Sequence, residues 1–113
     1  WENLAQVGEL RVKPIAFGRG GARINVQSQR ELEDLAKRLA SLPSYYVVVV
    51  GNARAEGNAD ANRTLAEQRA AATVTALRDR GLHPNRVRAR TGAPSASGGS
   101  AQSVSFIVAQ PPY

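Results

Sequence analysis

Cysteine is missing from this chain, which excludes disulfides, cysteine-ligated zinc and a thiol nucleophile and leaves the redox compartment open. A lone histidine, His83, rules out a histidine metal cluster, and its place between Leu82 and Pro84 reads as a surface turn without catalytic partners. No apolar run approaches the roughly eighteen residues that a membrane span requires, and no charged-then-apolar leader opens the chain. Methionine is absent too, and a start at Trp1 is what a domain cut from a longer protein would show, with any signal peptide out of view. Aromatics number six: Trp1 and Tyr113 are terminal, and Phe17, Tyr45, Tyr46 and Phe106 fall in predicted strands. The basic residues therefore lack the interleaved stacking platforms that nucleic-acid binding usually wants.

What is present fits one modest core: 113 residues, 42% of them apolar. The net charge of +6 comes from thirteen Arg and two Lys, a choice that favours flat, two-pronged contacts with carboxylate or phosphate. An anionic partner is one reading, and an arginine-rich solvated surface is the other.

Along the chain, Leu10 to Phe17 alternates through Val12, Ile15 and Phe17 as a strand would, with Pro14 placing it at an edge or bulge. The glycines at 18, 20 and 21 lack the lysine of a phosphate loop and read as a turn. Ser28 and Glu31 form a capping box ahead of Leu32, Leu35, Ala36, Leu39 and Leu42 at helical spacing, and Pro43 ends that helix. Tyr45 to Val50 has no polar break, as expected of a central strand covered on both faces. A polar loop runs from Gly51 to about Asp60, and a long helix then ends at Gly81, before Pro84. Arg86 to Arg90 reads as a third strand with its arginines toward water, and a phosphate-binding role for Arg86, Arg88 and Arg90 is the weaker alternative. Residues 91–101 read as a loop and Val104 to Val108 as a fourth strand, able to pair antiparallel with the third. The expected class is α/β (an α+β sandwich) in the order β-α-β-α-β-β, a mixed sheet with helices packed on one face and a core over about residues 10–109.

On the second helix, with Leu65 as zero, Ala66, Ala70, Thr73 and Leu77 fall between about 80° and 140° and form the buried stripe. Arg69 and Asn62 land beside it at about 40° and 60°. A guanidinium there must find an anion or several acceptors. The helix start also offers free N–H groups, and the loop leaves the C-terminal end of a buried strand, where open α/β sheets place ligands. The segment from Gly51 to Arg69 is thus the candidate site, against the alternative that Arg69 pairs internally with Glu56 or Asp60. Those two acids, close to Arg54 and Arg69, do not make the carboxylate pair with one raised pKa that glycoside hydrolysis needs, so no catalysis is expected.

Gly51-Asn52-Ala53-Arg54-Ala55-Glu56-Gly57, four residues, then Asn62-Arg63-Thr64-Leu65-Ala66-Glu67-Gln68-Arg69-Ala70 resembles, without a gap, the OmpA-like motif G-H-T-D-x-x-G, four residues, N-x-x-L-S-x-x-R-A. Phe17, Ala22 and Gly81 to Val87 fit the flanking pattern, and the resemblance runs from about Val12 to Val108. It implies a non-catalytic domain of the periplasm or cell envelope that binds the peptide stem of peptidoglycan, without a cofactor or metal. By position it implies that Arg69 takes a carboxylate, with Asn62, Leu65, Asn52, Arg54 and Glu56 as further ligand-site residues. Arg54 stands where the family's Asp takes the ammonium of diaminopimelate, a charge reversal. Asn52 replaces the family's His, Ala66 its Ser, and Gln102-Ser103 stand where Arg-Arg is usual. Three readings follow: Arg54 swings out and Glu56 supplies the acid; the ligand is purely anionic; or the fold persists as a docking or dimerisation unit that no longer binds diaminopimelate. The R-A-E-G loop and the Pro-Pro-Tyr ending also resemble OmpA-like domains appended to periplasmic phosphate-type substrate-binding proteins, which would supply an upstream domain.

Overall fold

The computed structural model describes residues 5–10, 15–18, 21–41, 45–53, 57–92 and 104–110. Its elements are strand β1 (Ala5–Leu10), helix α1 (Val26–Ala40), strand β2 (Tyr46–Asn52), helix α2 (Ala59–Asp79), a 3-10 turn at Pro84–Arg86, and strands β3 (Val87–Gly92) and β4 (Val104–Gln110). The four strands lie in the order β1-β4-β2-β3. β4 runs antiparallel to both β1 and β2, whereas β2 and β3 are parallel and joined through α2. The expected α+β class with a mixed sheet is therefore present.

Strand β2 is interior, as its unbroken apolar run predicts. Val47 and Val49 are fully buried on the helix side, but Tyr46 and Val48, on the other face, are only half-buried, so the cover is one-sided. The core gathers Leu32, Leu35, Leu39, Val47, Val49, Leu77 and Phe106 between the helices and the sheet. Gly51 sets how close α2 comes to that sheet. A Cβ there would lie 2.1 Å from the carbonyl oxygen of Ala66 and 3.2 Å from the Cβ of Ala70. Only glycine on the strand facing alanine on the helix permits the approach.

The predicted stripe on α2 is buried at Ala66, Ala70, Thr73 and Leu77. The helix ends as expected. Gly81 takes φ +105°, its N–H bonds to the Arg78 carbonyl, and the N–H of Leu82 reaches the Leu77 carbonyl, the paired bonds of a Schellman motif.

Four expectations are corrected. First, of the strand expected from Leu10 to Phe17, only Leu10 lies in β1; Ile15 is a buried core residue, and Phe17 forms an isolated bridge with Ile24. Pro14 lies outside the described residues. Second, α1 is capped by Asn25, whose side chain accepts from the N–H groups of Gln27 and Ser28. Ser28 is buried, and its hydroxyl instead accepts from the Ala16 N–H at 2.8 Å, a tertiary partner that draws it away from any capping box. Third, Arg86 precedes β3 and is half-buried. Its guanidinium donates to the carbonyls of Leu39 and Tyr45 at 2.8 Å, closing the ends of α1 and β2 against the turn. Fourth, β3 and β4 do not pair. β4 supplies Val104, Phe106 and Val108 to the core and so takes the interior place beside β2, leaving β3, with Arg88 and Arg90 exposed, on the edge.

Candidate functional site

The site grows out of the contact between β2 and α2. With Gly51 pressed on Ala66, the strand end and the helix start lie side by side, and residues 53–57 must bridge them. Ala53 is buried, and Gly57 turns the chain with φ +83°. Asn58 then caps α2 by accepting from the Ala61 N–H at 3.0 Å. Asp60 falls in the first helical turn, where the helix dipole favours a carboxylate.

Asn62, Leu65 and Arg69 follow at helical spacing along one flank of α2, each half-buried beside the fully buried stripe. The guanidinium of Arg69 finds the several acceptors that its position demands. Its Nε–H donates to the Gly21 carbonyl at 2.8 Å, and an Nη2–H reaches the Gly18 carbonyl at 3.4 Å. It also lies over the ring of Phe17, 5.2 Å from the centroid, a cation–π contact. Beneath, the buried hydroxyl of Thr73 donates to the Arg69 carbonyl at 2.8 Å. A planar, permanently charged group is thus held from three sides at the rim of the strand-helix junction.

Of the glycine cluster read as a turn, Gly18 and Gly21 are among the described residues. Gly18 donates to the Arg23 carbonyl, Gly21 donates to the Gly18 carbonyl, and Asn25 donates to the Ala16 carbonyl. The Gly18 and Gly21 carbonyls are thereby turned toward Arg69 of α2, about fifty residues away in sequence.

Among the sequence-predicted site residues, the structure brings Asn62, Leu65 and Arg69 onto one flank. Asn52 goes elsewhere. It ends β2 on the face opposite Gly51, and its amide donates to the Ser105 hydroxyl of β4 at 2.6 Å. Arg54 and Glu56 lie outside the described residues. The internal pairing considered for Asp60 is not with Arg69: an exposed Arg63 stands 3.7 Å from its carboxylate, within the same helix. Phe17 and the Gly18 and Gly21 carbonyls, which contact Arg69, and Ser105, which contacts Asn52, are partners that the motif did not mark. For the first three, the signal was available: an aromatic residue beside a glycine turn, and a guanidinium in need of acceptors. Ser105 carried none.

Away from this region, a solvent-open hollow lined by Tyr46, Pro84, Asn85 and Arg88 lies at the other end of β2 and holds none of the candidate residues. His83 is exposed, as its turn position predicts, and its Nδ1 accepts from the Asn85 N–H. Among the described residues, no three His, Asp or Glu side chains gather to hold a metal ion, and no helix is long and apolar enough to cross a membrane.

Residues 16–103 match the model of the OmpA family. No curated protein matches the chain in sequence. Among solved structures, the peptidoglycan-associated lipoprotein of Burkholderia pseudomallei is 21% identical with a TM-score of 0.68, over 89% of this chain and 91% of that one. The periplasmic domain of Helicobacter pylori MotB is 20% identical with a TM-score of 0.74, over 97% and 88% of the two chains. An outer membrane protein of Borrelia burgdorferi is 14% identical with a TM-score of 0.68, over 94% and 96%. At these identities the structural likeness speaks for the fold.

Proposed function

Because this chain belongs to the OmpA family, we propose that it is a non-catalytic binding module of the cell envelope, placed in the periplasm, that holds the peptide stem of peptidoglycan at Gly51–Arg69. The observation that carries the reading is Arg69. At the motif position to which the resemblance gives a ligand carboxylate, the guanidinium is already oriented by two backbone carbonyls and the Phe17 ring. A carboxylate arriving there meets a fork whose rotamer entropy has been lost in folding, which lowers the cost of binding. Asn62 and Leu65 line the same flank, and by motif position Glu56 and Asn52 are the further residues of the proposed site. A module of this size would act as a tether for a longer envelope protein.

Arg54 favours a second reading. Where the resemblance expects an acid for the diaminopimelate ammonium, this chain has a cation, so a ligand of carboxylates alone fits better than a zwitterion. If no wall fragment binds, the domain keeps the fold as a docking or dimerisation unit. The test is co-sedimentation with purified sacculi together with calorimetry against diaminopimelate tripeptide, for the parent chain, Arg69→Ala and Arg54→Asp. Binding by the parent that Arg69→Ala loses is the expected result. Equal sedimentation of parent and Arg69→Ala overturns the binding reading. Binding that appears only in Arg54→Asp assigns the native chain to the docking role.

A further inference from the structure

We infer that the outer edge of β3 is a docking site for an acidic, extended segment of another protein, which adds to the sheet as a further strand with carboxylates at alternate positions facing Arg88 and Arg90. The inference stands apart from the binding reading above and uses none of the residues given to the wall ligand.

The sequence sets the charge of this part of the molecule. All nine acidic residues lie at or before Asp79, whereas Arg80, Arg86, Arg88 and Arg90 follow it. Strands β2, β3 and β4 therefore contain no carboxylate side chain. Arg86 is engaged by the Leu39 and Tyr45 carbonyls. The parallel ladder sets Val48 beside Arg88 and Val50 beside Arg90, so both arginines share the face turned away from the helices, about 6.6 Å apart along the strand.

Among the described residues, β3 pairs with β2 alone. Arg88, Ala89 and Arg90 are all exposed, so the strand is open on both faces along its middle. The backbone donors and acceptors of such an edge are a template for another strand. Charge decides which strand. A second copy docking edge to edge would set arginine against arginine, and like charges across a ladder are destabilising. A strand with acids at alternate positions instead places a carboxylate opposite each guanidinium, whose planar fork matches it. Where β3 begins, the hollow lined by Tyr46, Pro84, Asn85 and Arg88 offers a seat for one side chain of the incoming segment.

The experiment titrates the isotope-labelled chain, followed by NMR, with three probes: the octapeptide T-V-E-V-E-V-E-T, its shuffle T-V-E-E-V-V-E-T of identical composition, and a short oligothymidylate. The alternating peptide is expected to give saturable shifts at the backbone amides of Val87–Gly92, with the shuffle binding roughly tenfold more weakly, the combined span of two cross-strand charge pairs. The double variant Arg88→Glu/Arg90→Glu, its fold checked by circular dichroism, should lose the acidic peptide and take up T-V-K-V-K-V-K-T in its place. Three results overturn the inference: equal affinity for the alternating and shuffled peptides, shifts at β3 with the oligothymidylate but with neither peptide, or a double variant that binds the acidic peptide as the parent does. Because parent and shuffle comparison needs no substitution, the inference stays falsifiable even if the double variant does not fold.

Discussion

Replacing Gly51 by alanine tests the contact on which the whole site is built. The added methyl would stand 2.1 Å from the Ala66 oxygen and 2.7 Å from its carbonyl carbon. A carbon and an oxygen not sharing a bond keep at least about 3.3 Å apart. The strand and α2 must then separate by about 1 Å, and both obstructing atoms are helix backbone, so no side chain can swing aside to absorb the strain. Separation loosens the packing of Ala66, Ala70, Thr73 and Leu77, all now buried. Overpacking of a tight core costs about 1–3 kcal/mol, and more where backbone must move; we expect about 3 kcal/mol. For a domain near one hundred residues that lowers the melting temperature by roughly 12–24 °C. The assay is thermal and urea unfolding followed by circular dichroism, with Gly21→Ala as the matched control. A Cβ at Gly21 meets nothing within 4 Å, so that variant should stay within about 1 kcal/mol of the parent. Refutation would be a Gly51→Ala chain that melts within a few degrees of Gly21→Ala.

Three further outcomes follow from side-chain contacts and are read by the same unfolding measurements. Ser28→Ala leaves the Ala16 N–H without its hydroxyl partner and should cost about 1–3 kcal/mol, whereas a capping-box serine would cost nearer 1 kcal/mol. Gly81→Ala forces a side chain into φ +105° and should cost about 1–2 kcal/mol, visible as a lowered urea midpoint with the slope unchanged. Arg86→Lys keeps the charge but loses the fork that spans the Leu39 and Tyr45 carbonyls; about 1–3 kcal/mol should be lost, and a parent-like midpoint would show the clasp to be idle.

The parts of the fold legible in sequence are those governed by local rules. The stripe on α2 follows from 3.6-residue periodicity, the stop at Gly81 from the left-handed cap, and the central place of β2 from its unbroken valines. What escaped was decided by partners distant in sequence. Asn25 and Ser28 are both good caps, and only the approach of the Ala16 N–H removes Ser28 from the competition. Alternation through Val12, Ile15 and Phe17 looks like a strand, yet β1 lies earlier because its neighbour β4 is set by long-range pairing. At the site, the need of Arg69 for acceptors was readable, but their identity as carbonyls of the glycine turn was not, since nothing local links residues 18 and 21 to residue 69. The basic face was overcounted for the same reason: Arg86 is spent on two carbonyls, while Arg88 and Arg90 stay exposed on an edge strand.

The strand order has a kinetic meaning. The parallel β2-α2-β3 unit can assemble from consecutive chain, but β1 pairs with β4 alone, and about one hundred residues separate them. As the chain folds, β1 has no partner to join until residues 104–110 slot between it and β2. A chain in which Val104–Gln110 has not yet docked would therefore expose one orphan strand and the open flank of another, surfaces that chaperones recognise and that aggregate. Closure of the sheet is a late, long-range event, so folding should run in milliseconds to seconds, slower than for a helical domain of similar length.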